Sequence, residues 1–276
     1  MAPGHAAISG GSSGIGLALA RRLAGEGWNL SILARDPDRL ERARASIEEF
    51  GRGKGNRVAT FATDVRDQVT TENAVADAIT TFGSPDLLIA SAGIVIPGLF
   101  AALPAAAFRE QIDVNYFGAL HLIRAGLPSM QAQKKGRIVL ISSGAGLMGL
   151  YGYSAYAPSK FAVRGLAEAL RAELRLDSIG VSVVYPPDTD TPQLREERGL
   201  RPAALEAIAA GSRVLTADAV ASAILSGIRR KRFVIAPGRD MAVLAFSHSL
   251  IGPLLNHFWF DRVAARLHAR RPMKRP

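Results

Sequence analysis

The chain contains no cysteine. That excludes disulfides, thiol nucleophiles and thiolate metal sites. The five histidines are scattered without ligand spacing, so no metal site is expected. The N-terminus lacks a basic region followed by a long apolar run, which is not the pattern of a signal peptide. No internal repeat and no Pro/Ser-rich linker divides the 276 residues. Basic residues exceed acidic ones, for a formal charge of +10. Yet no recognition helix, zinc module or aromatic RNA-binding motif accompanies the excess, so nucleic acid is not the expected partner.

What is present is concentrated at two places. Residues 142–160 read SSGAGLMGLYGYSAYAPSK, with Tyr156 and Lys160 four apart and Ser143 thirteen before the tyrosine. Four residues make one helical turn, so phenol and ammonium share a face. A nearby cation favours phenolate, so Lys160 is expected to lower the phenol pKa from its ordinary ~10. Such a phenol can pass a proton, with the serine hydroxyl holding a carbonyl oxygen beside it. The second place is the N-terminus. The apolar run HAAIS is followed by Gly10, Gly11, Ser12, Ser13, Gly14, Ile15 and Gly16, then by an apolar-periodic helix over 17–23. Strand, glycine turn and helix form a phosphate cradle, because backbone N–H groups and the helix dipole both face the anion.

Apolar strand-like runs fall at 6–9, 29–34, 58–62, 87–90, 137–141, 181–185 and 233–235, with helical patterns between them. The longest predicted helix begins near Tyr153 and ends before Gly180. Such alternation predicts an α/β fold: one doubly wound parallel sheet of about seven strands, with helices on both faces. We place the domain at residues 1–238 and treat 239–276 as a C-terminal apolar and basic segment.

Together these motifs resemble the short-chain dehydrogenase/reductase family over roughly residues 5–237. The glycine motif, with Ser9 in place of a threonine, and the Tyr156-x-x-x-Lys160 pair match the family pattern. Asn115, in Val114-Asn115-Tyr116-Phe117-Gly118, falls on the catalytic-tetrad asparagine and Ser143 on the catalytic serine. Ala90-Ser91-Ala92-Gly93 stands where the family has Asn-Asn-Ala-Gly. The resemblance implies a Rossmann-type fold, a homo-oligomer (dimer or tetramer), and cofactor contacts from Gly10, Ser12, Ser13, Gly14, Ile15, Gly16, Asp64, Val65, Ala92, Gly93, Tyr156, Lys160, Pro186, Thr189 and Thr191. Asp64 equally suits a cap for the helix from Gln68. At the tip of the second strand Ala34 replaces the acid that binds an NAD ribose, and Arg35 follows. A guanidinium there suits the 2′-phosphate of NADP(H), unless Arg35 pairs with Asp36 or Asp38.

Within the family, Tyr185-Pro186-Pro187-Asp188-Thr189-Asp190-Thr191-Pro192 resembles the 3-ketodihydrosphingosine reductases. That implies NADPH-dependent reduction of a lipophilic amino-ketone, with Asp188 as a candidate partner for its ammonium unless it caps the following helix. A steroid, retinoid or 3-oxoacyl ketone and a non-catalytic scaffold are the alternatives. Residues 241–260 carry no Asp, Glu, Lys or Arg, and Arg262, Arg266 and Arg270 follow at helical spacing, then Arg271, Lys274 and Arg275. This reads as an interfacial anchor on an anionic membrane surface. A helix covering a partner subunit or the pocket, and a true span, are the other readings. The expected location is cytoplasmic, peripheral on the cytosolic face of a membrane.

Overall fold

The computed structural model describes residues 3–211 and 213–269. In chain order it forms β1 (His5–Ser9), α1 (Gly14–Gly25), β2 (Asn29–Ala34), α2 (Pro37–Phe50), β3 (Val58–Ala62), α3 (Gln68–Phe82), β4 (Leu87–Ala90) and α4 (Ala105–Ile112). A π-helical turn (Asp113–Phe117) runs into α5 (Gly118–Gln133), followed by β5 (Gly136–Ile141) and a short 3₁₀ turn (Gly144–Gly146). Then come α6 (Tyr156–Glu173), β6 (Ile179–Val184), β7 (Thr189–Asp190), α7 (Pro192–Arg198), α8 (Ala203–Ala209), β8 (Leu215–Thr216), α9 (Ala217–Arg229) and β9 (Val234–Ile235). The described chain ends with α10 (Arg239–Leu255), a second π turn (Asn256–Phe260) and α11 (Asp261–Ala269).

Seven strands form one parallel sheet in the order β3-β2-β1-β4-β5-β6-β9, as the alternation predicts. Its strands are mainly apolar because both faces are covered. Ile8, Ile32, Ile89, Val139 and Val184 point to one face, where Leu19 and Leu23 of α1, Leu40 and Ile47 of α2 and Ile224 of α9 meet them. The alternate residues Ala7, Leu33, Leu88, Leu140 and Val183 meet Val75 of α3, Leu122 of α5 and Val163 of α6 on the other. Each fully buried Leu or Ile contributes about 1.5–3 kcal/mol, so these two layers fix the sheet and with it the positions of the strand tips.

Several boundaries differ from expectation. The long helix begins at Tyr156 rather than near Tyr153, because Gly152 has a left-handed φ of +80° and residues 151–155 turn. It ends at Glu173, before Gly180 as expected, and Ser178, at φ +58°, reverses the chain into β6. The small parallel pair β7–β8 was not anticipated. It ties Thr189 and Asp190 to Leu215 and Thr216, and strands of two residues carry no alternation to read.

Candidate active site

Between β1 and β4 the strand order reverses, and a doubly wound sheet opens its ligand crevice at this point, beyond the carboxyl ends of the strands. Gly10 leaves β1 with φ +69°, and a Cβ there would lie 2.7 Å from the Ala92 backbone nitrogen. A Cβ on Gly16 would run into the Gly10 carbonyl, and Gly11 packs against Ile32. Ser9 Oγ accepts from the Ala92 N–H at 3.3 Å, so a serine on β1 joins the two strand tips. At the head of α1, Ser13 makes no side-chain cap and the first turn holds no acid. The first-turn N–H groups, which have no helical acceptor, and the positive end of the dipole therefore face the crevice. The turn fits a pyrophosphate: it is stripped of side chains where backbone must approach, and it has uncapped donors at the helix start. Ser12, Ser13 and Gly14 also line a groove of about 740 Å³ with Arg39 and Arg42.

Arg35 is exposed just beyond β2 and makes no ion pair among the described residues. Asp36 instead caps α2, accepting from Arg39 N at 3.0 Å. Val65 is buried beside Gly118, where an added Cβ would fall 2.6 Å from its Cγ2. Asp64 does not cap α3; Asp67 does, accepting from Thr70 N at 2.9 Å. Arg66, bonded to Asp64 at 2.5 Å, holds that carboxyl below its usual range.

The four tetrad candidates converge on one buried region. Lys160 is 5% exposed, and its ammonium donates to the Ile141 carbonyl at 3.1 Å. It lies 5.8 Å from the centre of the Tyr156 ring. Ser143, two residues beyond β5, accepts from Ala145 N at 3.2 Å and lies near enough to the Tyr156 hydroxyl to lower its pKa. Asn115 sits in the π turn, where its side chain accepts from Ile94 N at 2.8 Å and donates to the Ile94 carbonyl and to Ser159 Oγ. A Cβ on Gly93 would lie 3.1 Å from Asn115 Oδ1 and 3.3 Å from Lys160 Nζ, so a glycine there lets the β4 tip close on both. On the far side, Thr191 caps α7 by accepting from Leu194 N at 3.2 Å and faces Gly14 across the crevice. The Pro186 carbonyl accepts from Gly144 N at 3.3 Å, and Thr189 Oγ1 donates to the Pro187 carbonyl.

The family model described as short chain dehydrogenase matches residues 4–200. The chain belongs to the short-chain dehydrogenase family. It is 43% identical over 235 residues to the 3-dehydrosphinganine reductase TSC10B of Arabidopsis thaliana, covering 84% of this chain and 69% of that one. It is 36% identical over 242 residues to the 3-dehydrosphinganine reductase of Danio rerio, covering 87% and 73%. Among solved structures it is similar to a short-chain dehydrogenase from Sphingobium yanoikuyae in complex with NADPH. That pair is 25% identical, with TM-score 0.75 and coverage of 99% and 98%.

The electrostatics of this short-chain dehydrogenase correct one expectation. Burial pushes the Tyr156 phenol up from its ordinary value, against the nearby Ser143 hydroxyl, which pulls it down. Lys160 is not what sets it: burial depresses that ammonium to about 8. Sharing a helix face brings the pair near each other, but the cation sits against the ring and points its proton at a carbonyl.

Sequence reasoning also missed a polar network beside the phenol. The Tyr153 hydroxyl donates to Glu197 Oε1, and the Tyr153 ring meets the Tyr156 ring edge-on at 5.1 Å. Arg201 donates to Glu197 at 2.6 Å, to both Asp188 oxygens at 2.8 and 3.0 Å, and to the Tyr153 hydroxyl at 3.1 Å. Asp188 is thus held bidentately by Arg201, and Thr191 rather than Asp188 caps α7. Arg201 and Glu197 are four apart, but the other pairs lie 13 to 48 residues apart, which no local motif announces. The acid-rich stretch 187–190 and the cluster of arginines over 195–201 were the only available hint.

The inner face of the C-terminal segment packs on the site's loops. Leu244, Leu255 and Val263 meet Met148 and Ile208. Its outer face leaves Val243, Phe246, Leu250, Leu254 and Phe258 exposed. Among the described residues no helix is long and apolar enough to cross a membrane. Arg262 and Arg266 are exposed on α11, whereas Arg270, Arg271, Lys274 and Arg275 lie outside the described residues.

Proposed function

We propose that this chain reduces the ketone of 3-ketodihydrosphingosine to dihydrosphingosine with NADPH. What supports this is the gathering of Tyr156, Ser143 and Lys160 near the β4 tip that Gly10 also approaches, in a chain 43% identical to a named 3-dehydrosphinganine reductase. The dinucleotide, when bound, supplies the hydride. Tyr156 donates its proton to the developing alkoxide, and burial keeps the phenol protonated until that oxygen needs it. Ser143 binds the same oxygen and fixes the carbonyl against the donor. Lys160, charged below about pH 8, holds the nicotinamide ribose. Asn115 braces the β4 tip through Ile94 and opens the helix with a π turn, a deformation frequent at functional sites.

Gly10, Ser12, Ser13, Gly14, Ile15 and Gly16 hold the pyrophosphate, and Asp64 and Val65 flank the adenine. Ala92 and Gly93 line the crevice floor, with Pro186, Thr189 and Thr191 closing it from the substrate side. Arg35, which makes no ion pair among the described residues and has Asp64 only within electrostatic reach, takes the 2′-phosphate. The test is NADPH oxidation by the purified chain on 3-ketodihydrosphingosine, compared with NADH and with steroid, retinoid and 3-oxoacyl ketones. A faster rate on any of those ketones would replace the substrate assignment.

The exposed stripe on α10, followed by arginines, supports residues 239–276 as a membrane-surface segment on the domain of residues 1–238, at the cytosolic face. A substrate with a long acyl chain resides in lipid, so the enzyme gains access by lying on it. Salt-sensitive pelleting with anionic vesicles, lost in Phe246→Glu/Leu250→Glu, is the expected result. Phe117 and Phe161, exposed beside the tetrad region, support a homo-oligomer built on α5 and α6, which sedimentation would detect.

A further inference from the structure

The strongest unexplained feature is the network on Arg201, whose guanidinium side chain is only 1% exposed. It lies in the short link between α7 and α8 and reaches three separate pieces of chain. Asp188 belongs to the loop after β6, Glu197 to α7, and Tyr153 to the turn that precedes Tyr156. Buried ions persist only with their charges paired and their donors used, and here one planar fork meets two carboxylates and a phenol.

We propose that Arg201 is a positioning residue for the reduction, locking the loop after β6 and the α7–α8 segment onto Tyr153 so that the Tyr156 hydroxyl is held at the reacting carbonyl. The assay rests on the reductase reading; the clamp itself rests on the geometry. Tyr153 transmits the constraint through its edge-on ring contact with Tyr156. The groups facing the phenol are Lys160 from its own helix, Ser143 and Tyr153 from the loop after β5, Asp188, Glu197 from α7, and Arg201. The negative charges of Glu197 and Asp188 both raise the phenol's pKa. They oppose phenolate, and Arg201 offsets them. Glu206, half-exposed, approaches Arg201 at 3.5 Å from α8 and makes the clamp's outer edge.

Lysine keeps the charge but cannot make the forked pattern. Arg201→Lys is therefore expected to lower kcat about 10- to 100-fold, the size of effect a misplacement near 1 Å produces. NADPH affinity, read by fluorescence titration, and the melting temperature stay near wild type. Arg201→Gln, which strands both carboxylates, is expected to lose more kcat and melt earlier; should it fail to fold, the lysine variant decides. A kcat for Arg201→Lys within about twofold of wild type, or a loss of NADPH affinity matching the loss of kcat, overturns the proposal. Wild-type turnover in the same assay tests the substrate separately. If 3-ketodihydrosphingosine is not reduced, the function fails, and the clamp is then compared on whichever lipophilic ketone the wild type reduces.

Discussion

The proposed cofactor end and the proposed substrate end of the crevice are built from different materials. At the cofactor end the contacts are made by backbone. Gly10 and Gly16 remove side chains where strands and helix close up, and α1 offers uncapped N–H groups. At the substrate end the contacts are made by buried side chains: Tyr153, Asp188, Glu197 and Arg201 interlock across three loops. A backbone site is insensitive to most substitutions and intolerant of one kind, the addition of a Cβ. A side-chain network fails when any charged member is lost, because the remaining charges stay buried. The first suits a cofactor common to many enzymes, and the second a part that must differ between them.

The contrast can be broken in four ways. Tyr156→Phe, which removes only the hydroxyl and keeps the ring against Tyr153, is expected to give the largest effect: a fall in kcat of about 10²- to 10⁴-fold with NADPH binding unchanged, read by absorbance and by fluorescence titration. Unchanged turnover would revive the scaffold alternative. Next, Gly10→Ala places a methyl against the Ala92 backbone at a left-handed φ. Strain of about 1–3 kcal/mol should weaken NADPH binding up to about 100-fold while leaving the Arg201 network intact. Third, Arg35→Ala removes charge-assisted hydrogen bonds of about 1.5–3 kcal/mol and should cut the preference for NADPH over NADH at least tenfold, with little effect on the NADH rate. An unaltered preference would move the phosphate to Arg39 and Arg42.

The smallest effect concerns pH. The Lys160 ammonium has its pKa depressed by burial to about 8, so it is charged below that pH and loses its proton as pH rises through it. The rate on saturating ketone is expected to hold below about pH 8 and fall above it, by about tenfold one unit higher. A profile flat to pH 10 would remove Lys160's charge from the mechanism.

Much of the cofactor end was legible because its signals are local. A glycine run after an apolar strand, a pair four apart on a helix, and an alanine in place of an acid followed by an arginine at a strand tip are each contained within a few residues. The fold was legible for the same reason, since strands covered on both faces read as continuous apolar runs. What escaped was long-range. The start of α6 moved three residues because Gly152 turns the chain and Tyr153 is held by Glu197, 44 residues away. Asp188 read as a free carboxylate because its partner lies in another loop.

The sequence by itself determined the parallel sheet, the glycine turn between strand and helix, and the sharing of one helical turn by Tyr156 and Lys160, because periodicity and spacing are local properties; the family resemblance added Ser143. Only the tertiary structure decided the state of the phenol, which burial rather than the neighbouring ammonium controls. It also decided the commitment of Asp188 to Arg201 and the two-faced docking of α10. Desolvation and ion pairing depend on what the rest of the chain brings alongside, and no window of sequence contains that.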